Sequence, residues 1–263
     1  MMRRLLTPIV KRSPILYKLY LWLFMDRRLS KSLDLIYEPS DISTEYYNKI
    51  KNLSDKELEH QIGRLSNFKE IIKNCSKIEG DFIEFGTWKG FSLLWIAYFM
   101  ERNAIFNKRL VGLDGFIGLP YAEGIFDKFA FSNTSLKLCR ENLLKNNNLY
   151  DLTRKNILIE KFLYKQKKPI LQFLKRNKIS KFCFIHIDCD VSKSAKEIFE
   201  ILLEGKLIAD KCYILFDDYS CQTGLKNTVD NIFNKMKKNW NIKVHSHTNL
   251  TKNFVLKKII KNN

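Results

Sequence analysis

The residues with the most chemical potential in this 263-residue chain stand at the ends of short apolar runs. In KFCFIHIDCD (181–190), period-two alternation puts His186, Asp188 and Asp190 on one side and Ile185, Ile187 and Cys189 on the other. CYILFDD (212–218) ends in the adjacent carboxylates Asp217 and Asp218. Four carboxylates at neighbouring strand ends repel one another unless a cation or protons intervene. A hard, oxygen-seeking ion such as Mg²⁺ is the natural neutraliser, because it holds a few carboxylates and leaves positions open for substrate oxygens. For Asp190, just before VSKSAKEIFEILL, helix capping is an equal reading. His186, in mid-run, reads better as a hydrogen-bonded core histidine than as a general base. The HxH pair His245 and His247 has metal-binding spacing, but its place in a terminal hairpin favours a solvated strand face.

A second constellation precedes these. GDFIEFGTWKGFS (80–92) places Glu84 and Gly86 at the end of a strand and Gly90 at the opening of a helix. Glycines there allow a tight turn and close approach of backbone to ligand, and the helix N-terminus offers free N–H donors. Alone this spacing is also that of a plain strand-to-helix turn. The next apolar run, RLVGLDGF (109–116), ends at Asp114, a position suited to accepting hydrogen bonds from the two ribose hydroxyls of a nucleoside cofactor.

These residues need a scaffold that brings strand ends together. GDFIEFG, RLVGLDGF, NILIEKF, KFCFIHIDCD and CYILFDD alternate with stretches of helical period at 91–102, 135–146 and 194–203. Strands alternating with helices imply βαβ units, a parallel sheet and helices on both faces, with ligands at the carboxyl ends of the strands. Upstream, Leu58, Ile62, Leu65, Phe68, Ile71 and Ile72 recur at spacings of three and four, which predicts an amphipathic helix from Glu57 to Cys75.

Composition sets the outer bounds. With 45% hydrophobic and 28% charged residues the chain can bury a sizeable core. Lys and Arg number 46 against 28 Asp and Glu, a formal charge of +18 scattered along the whole length. That excess suits nucleic acid or an anionic membrane, but no basic, aromatic-interleaved groove accompanies it, and no specific nucleic-acid partner is expected. The six cysteines form no CxxC pair, and Cys183, Cys189 and Cys212 sit in or beside apolar runs, so reduced thiols in the cytoplasm are the simplest account. Residues 1–30 carry basic flanks around an apolar stretch from Ile15 to Met25, interrupted by Lys18. That is too short to span a bilayer, which takes about 20 residues. A helix capping the core is favoured there over one resting on the inner face of a membrane, and the peripheral contact stays open.

Taken in order, EGDFIEFGTWKGFS, LDGFIGLP, FSNTSLKLCRENL, HIDCDVSKSAKEIFEIL and FDDYSCQTGLKNTVDNIF resemble the macrocin O-methyltransferase family, class I S-adenosylmethionine-dependent enzymes that methylate sugar hydroxyls, often with a divalent metal. The resemblance runs from about Ile78 to the C-terminus. It implies a Rossmann-like α/β fold with a mostly parallel seven-stranded sheet; it does not cover the residues before Leu58, and the layout read along the chain is a basic helical extension (1–56) followed by the methyltransferase domain (57–263). It also implies a cofactor site of Glu84, Gly86, Thr87, Gly90 and Asp114, a metal site of Asp188, Asp217 and Asp218 with Asp190 as fourth candidate, and Asp188 and His186 as the catalytic candidates. The chain departs from the family pattern at Phe91, at Gly115 and at IADKC before the fifth strand. The loop from Tyr121 to Ser132, where substrate-facing residues are expected, has no histidine and offers Tyr121, Glu123 and Asp127.

The implied reaction is attack of a sugar hydroxyl on the sulfonium methyl, with Mg²⁺ lowering the hydroxyl pKa and a carboxylate or histidine taking the proton. The partner is then a saccharide, in glycan or glycoconjugate synthesis, and a homo-oligomer is compatible with it. Two other readings stand beside this one: a nucleic-acid methyltransferase, and a noncatalytic membrane-associated scaffold that retains the fold.

Overall fold

The computed structural model describes residues 55–124, 126–145, 156–247 and 251–259. The expected extension 1–56, with the apolar stretch and basic flanks of residues 1–30, therefore lies outside the described residues except for Asp55 and Lys56. Helix α1 (Asp55–Cys75) is followed by β1 (Asp81–Phe85), α2 (Phe91–Arg102), β2 (Leu110–Asp114), α3 (Leu136–Lys145), β3 (Ile157–Lys161) and α4 (Lys167–Arg176). Then come β4 (Phe182–Ile187), α5 (Ser192–Glu204), β5 (Ile208–Phe216), α6 (Thr223–Met236), β6 (Trp240–His247) and β7 (Lys252–Lys258). The seven strands form one sheet in the order β3-β2-β1-β4-β5-β7-β6. The first five are parallel, and β7 runs antiparallel to both of its neighbours.

Burial on both faces explains the near-continuous apolar strands, and all six residues of β4 are buried. On one face Ile185, Ile187 and Cys189 pack with residues of α4, α5 and α6. On the other, Cys183 and Phe184 pack with α1, α2 and α3. The alternation expected across 185–189 therefore holds for the apolar set.

Order and register fix the site. The chain reverses direction across the sheet between β1 and β4, which is where an open α/β sheet leaves its ligand crevice. Phe85 is level with Leu113 on one side and Ile187 on the other, and Ile187 is level with Phe216. The next residue on each strand is Gly86, Asp114, Asp188 or Asp217, so four sequence-distant positions emerge side by side.

Helix α1 forms as the periodicity predicts, and its buried face also takes in polar residues. Arg64, Asn67, Phe68, Ile71, Ile72 and Cys75 are buried and Leu65 is half-buried, so two polar side chains share the apolar face. Phe68, Ile71 and Ile72 anchor the helix, each contributing about 1.5–3 kcal/mol by burial. That anchoring carries the first turns of α1 over the ends of β4 and β5.

Gly86 sits at φ 94°, and a Cβ there would come 1.6 Å from the Asp188 carbonyl oxygen. Gly86→Ala is expected to destabilise the protein by at least about 2 kcal/mol in urea unfolding, from strain and forced separation of the β1 and β4 ends. An unchanged midpoint would contradict this packing.

Candidate active site

A cavity of about 310 Å³ opens at these strand ends. Its floor includes Gly86, Asp114, Asp188, Asp190, Asp217 and Asp218, and its walls carry Trp88, Phe91, Phe126, Phe131, Phe162 and Tyr164. Asp114 and the acidic cluster thus face one space.

Asp114 is fixed by the turn that follows β1. The backbone N–H of Trp88 donates to its Oδ2 at 2.8 Å, and that of Phe116 donates to Oδ1. Burial raises the Asp114 pKa, and these two donors offset part of that. Trp88 is held in turn by Thr134, whose hydroxyl donates to its carbonyl at 2.7 Å, and by Asn133, which accepts from its indole N–H at 3.3 Å. Trp88, Phe116, Phe131 and Asp190 all sit in the left-handed region, with φ of 45°, 48°, 60° and 58°. Such outliers persist where surrounding structure over-determines them, as at ligand clamps.

The acidic cluster divides into two parts. Asp217, 1% exposed, is met by three basic side chains. Arg64 donates to its Oδ2, the His60 Nε2 lies 3.1 Å from the same oxygen, and the His186 Nε2 lies 3.9 Å from Oδ1. Although burial opposes it, the Arg64 charge, then His186 and His60, hold the Asp217 carboxyl well below the usual range. Asp188, Asp190 and Asp218 form the other part, with one oxygen from each within 4.8 Å of the others. Burial, then the neighbouring carboxylates, pushes the pKa of all three upward. That strain is what a divalent cation relieves. Hard carboxylate donors at this spacing fit Mg²⁺, and Asp217 Oδ1, buried without a hydrogen-bond partner, is a further oxygen available to it.

All four predicted metal-site aspartates therefore line the cavity. The capping alternative for Asp190 is corrected: Val191 is the cap residue of α5, and Glu123 accepts from the Ser192 N–H at 2.7 Å and from its hydroxyl at 2.6 Å. Of the predicted cofactor residues, Gly86 and Asp114 line the cavity, whereas Glu84, Thr87 and Gly90 are buried behind it.

His186 does not face the cavity and is 0% exposed. It is level with Glu84 on β1, and its Nδ1 lies 2.9 Å from Glu84 Oε1. Its ring packs edge-on against Phe68 at 5.0 Å between centroids. A base must reach substrate, so a base role for His186 does not fit this position; it holds Asp217 from behind.

The loop residues also take other roles. Tyr121 donates to Glu197 at 2.6 Å, and burial and that carboxylate push its pKa to about 12. Together Tyr121 and Glu123 clamp the loop onto α5, and neither lines the cavity, nor does Asp127. His245 pairs with Glu70 at 3.0 Å and His247 is exposed, so the HxH pair gathers no metal-type cluster among the described residues.

Two residues that line the cavity were missed from sequence, His60 and Arg64 on α1. The signal was present: they stand four apart, on the same helical stripe as Phe68, Ile71 and Ile72, and polar residues on a buried stripe need partners.

A family model described as macrocin-O-methyltransferase (TylF) matches residues 60–245. The chain belongs to the macrocin O-methyltransferase family. It is accordingly an S-adenosylmethionine-dependent O-methyltransferase. Among solved structures, the O-methyltransferase NovP is 18% identical with a TM-score of 0.60, over 73% of this chain and 79% of that one. The calicheamicin methyltransferase CalS11 is 15% identical with a TM-score of 0.62, over 86% of this chain and 91% of that one. A second CalS11 structure, described as a TDP-rhamnose 3′-O-methyltransferase of calicheamicin biosynthesis, gives 0.57 at 15% identity over 86% and 93%. At these identities the likeness is one of fold, and it agrees with the Rossmann-like, mostly parallel sheet. No curated protein matches the sequence.

The Glu84–His186–Asp217 row gives a pH signature. Burial alone would lower the His186 pKa, but Asp217 and then Glu84 raise it from 6.5 to about 9. Because the folded value lies above the unfolded one, the imidazolium stabilises the fold fully below about pH 6.5, and that contribution is lost as pH rises through about 9. Unfolding free energy should fall over this window by up to about 3 kcal/mol through this group, and His186→Gln should remove that component of the slope. Parallel pH profiles for the two proteins would contradict a charged His186.

Proposed function

We propose that this enzyme methylates a hydroxyl of a saccharide, in glycan or glycoconjugate biosynthesis, with a divalent cation such as Mg²⁺ held by the acidic cluster. The observation that carries the reading is the shared cavity: Asp114 and the carboxylates Asp188, Asp190 and Asp218 face one space walled by aromatic rings. A neutral polyol suits that lining, whereas a phosphate-rich backbone meets repulsion from it.

Bound S-adenosylmethionine supplies an electrophilic methyl group, and a bound divalent cation lowers the pKa of a coordinated hydroxyl and orients it. The chain's own residues do the rest. Asp114 accepts from the ribose hydroxyls, and the Gly86 backbone allows the close approach that a side chain would block. Trp88, Phe131, Phe162 and Tyr164 bury the nucleoside and exclude water. Asp188, Asp190 and Asp218, with the free oxygen of Asp217, are the metal-holding set. Asp188, at the end of β4 and lining the cavity, is the carboxylate placed to take the hydroxyl proton on an oxygen the cation leaves free. Glu84 and His186 position Asp217, while Thr87 and Gly90 shape the turn beneath the cofactor.

The enzyme is assigned to the cytoplasm on its unpaired thiols, five of them buried. No helix among the described residues is long and apolar enough to cross a membrane. Peripheral contact through residues 1–30 and assembly into a homo-oligomer belong to the same reading.

Transfer of labelled methyl to nucleotide-sugars, free glycans and lipid-linked saccharides, with Mg²⁺ or excess chelator, tests the proposal. Asp218→Asn should lower kcat/KM at least ~100-fold and leave the S-adenosylmethionine Kd within about threefold, as expected when only transition-state interactions are lost. Full turnover in chelator contradicts the metal, and a preference for RNA or DNA contradicts the saccharide.

A further inference from the structure

Arg64 is a cation brought to the acidic cluster from 153 residues away in sequence. It is 8% exposed, and its guanidinium is held on three sides. Nη2 donates to Asp217 Oδ2 and lies 2.7 Å from His60 Nε2, and Nη1 donates to Ser92 Oγ at 3.3 Å. The same Nη1 lies 3.9 Å from Asp188 Oδ2, so the positive charge reaches both parts of the cluster. Among the described residues no basic side chain stands within ion-pair distance of Asp190 or Asp218. Beside the histidines at Asp217, the cluster thus holds a guanidinium shared by Asp217 and Asp188, and a remaining acidic pair next to it.

We propose that Arg64 is a tethered counter-cation that competes with a divalent metal for Asp217 and Asp188, and so sets the metal affinity of the cluster and couples it inversely to the docking of α1. The inference rests on the metal reading given above. A metal ion drawing on Asp188 or on the free oxygen of Asp217 meets the guanidinium within a few ångströms, in a buried setting where water screens poorly. Arg64 acts through Asp217 and is a positioning residue. Coupling is reciprocal: if the guanidinium weakens metal binding, bound metal weakens the grip of Arg64 on the strand ends by the same factor. The first turns of α1 would then loosen when the cluster fills, while Phe68, Ile71 and Ile72 keep the rest of the helix docked.

The test is calorimetric titration of Mg²⁺ into the full-length protein and two variants. Arg64→Gln keeps amide donors and loses the charge, and should bind Mg²⁺ about tenfold more tightly, within the usual range of such couplings. Arg64→Lys keeps the charge and should stay within about threefold of the wild type, well inside that range. A structural role alone would weaken metal binding in both variants, so equal or weaker affinity in Arg64→Gln overturns the proposal. Hydrogen exchange on the wild-type protein decides the matter without any variant: amides of residues 60–67 should exchange faster at saturating Mg²⁺, and unchanged or slower exchange overturns it. If neither the wild type nor the variants bind Mg²⁺, the metal reading itself fails and takes this inference with it.

Discussion

Mutual repulsion among the carboxylates that end β4 and β5 is the constraint on which the rest of the site depends. Parallel pairing in register makes Asp188 and Asp217 emerge level with Gly86, and Asp190 and Asp218 follow immediately. Removing such charges from water costs several kcal/mol each unless opposite charge is supplied. The protein supplies it unevenly. Asp217 receives Arg64, His60 and His186, whereas Asp190 and Asp218 lie close to Asp188 and to each other, and burial and mutual repulsion push their pKa values upward. The unevenness leaves an oxygen-rich pocket with spare negative charge beside a carboxylate already paired with basic side chains.

Each neighbouring element can be understood as serving that arrangement. The apolar residues of α1 dock it firmly enough to carry a desolvated guanidinium to the ends of β4 and β5, and Asn67 and Ser246 tie the helix to β6 through a 2.6 Å hydrogen bond. On the opposite wall, Tyr121 and Glu123 bind the loop after β2 to α5, so that Phe126 and Phe131 close over the cavity. Methyl transfer needs the two reactants held near contact and kept from water. A floor of strand ends with clamped aromatic walls suits both needs.

Much of this could be read from the residues. Alternating runs and helical stretches give the α/β class, and the DD pair, the IDCD run and the glycine-bearing turn mark the strand ends where the cavity opens. Three features could not be read. Alternation places His186 on the same side as Asp188, but only the pairing of β4 with β1 and β5 shows it enclosed by Glu84 and Asp217. A positive φ at Asp190 breaks the strand pattern, and no local residue type announces it. His60 and Arg64 act across more than 150 residues, so their partners come from tertiary docking alone. The +18 of the whole chain proved a poor guide to a site whose local charge is negative.

In the proposed reading the nucleoside and the acidic cluster share one cavity at the β1–β4 crevice. A crystal structure of the protein grown with S-adenosylhomocysteine tests it most directly. The ribose hydroxyls should be hydrogen-bonded to Asp114 and the sulfur turned toward Asp188, Asp190 and Asp218. A nucleoside bound elsewhere, or one whose sulfur points away from those carboxylates, would contradict it.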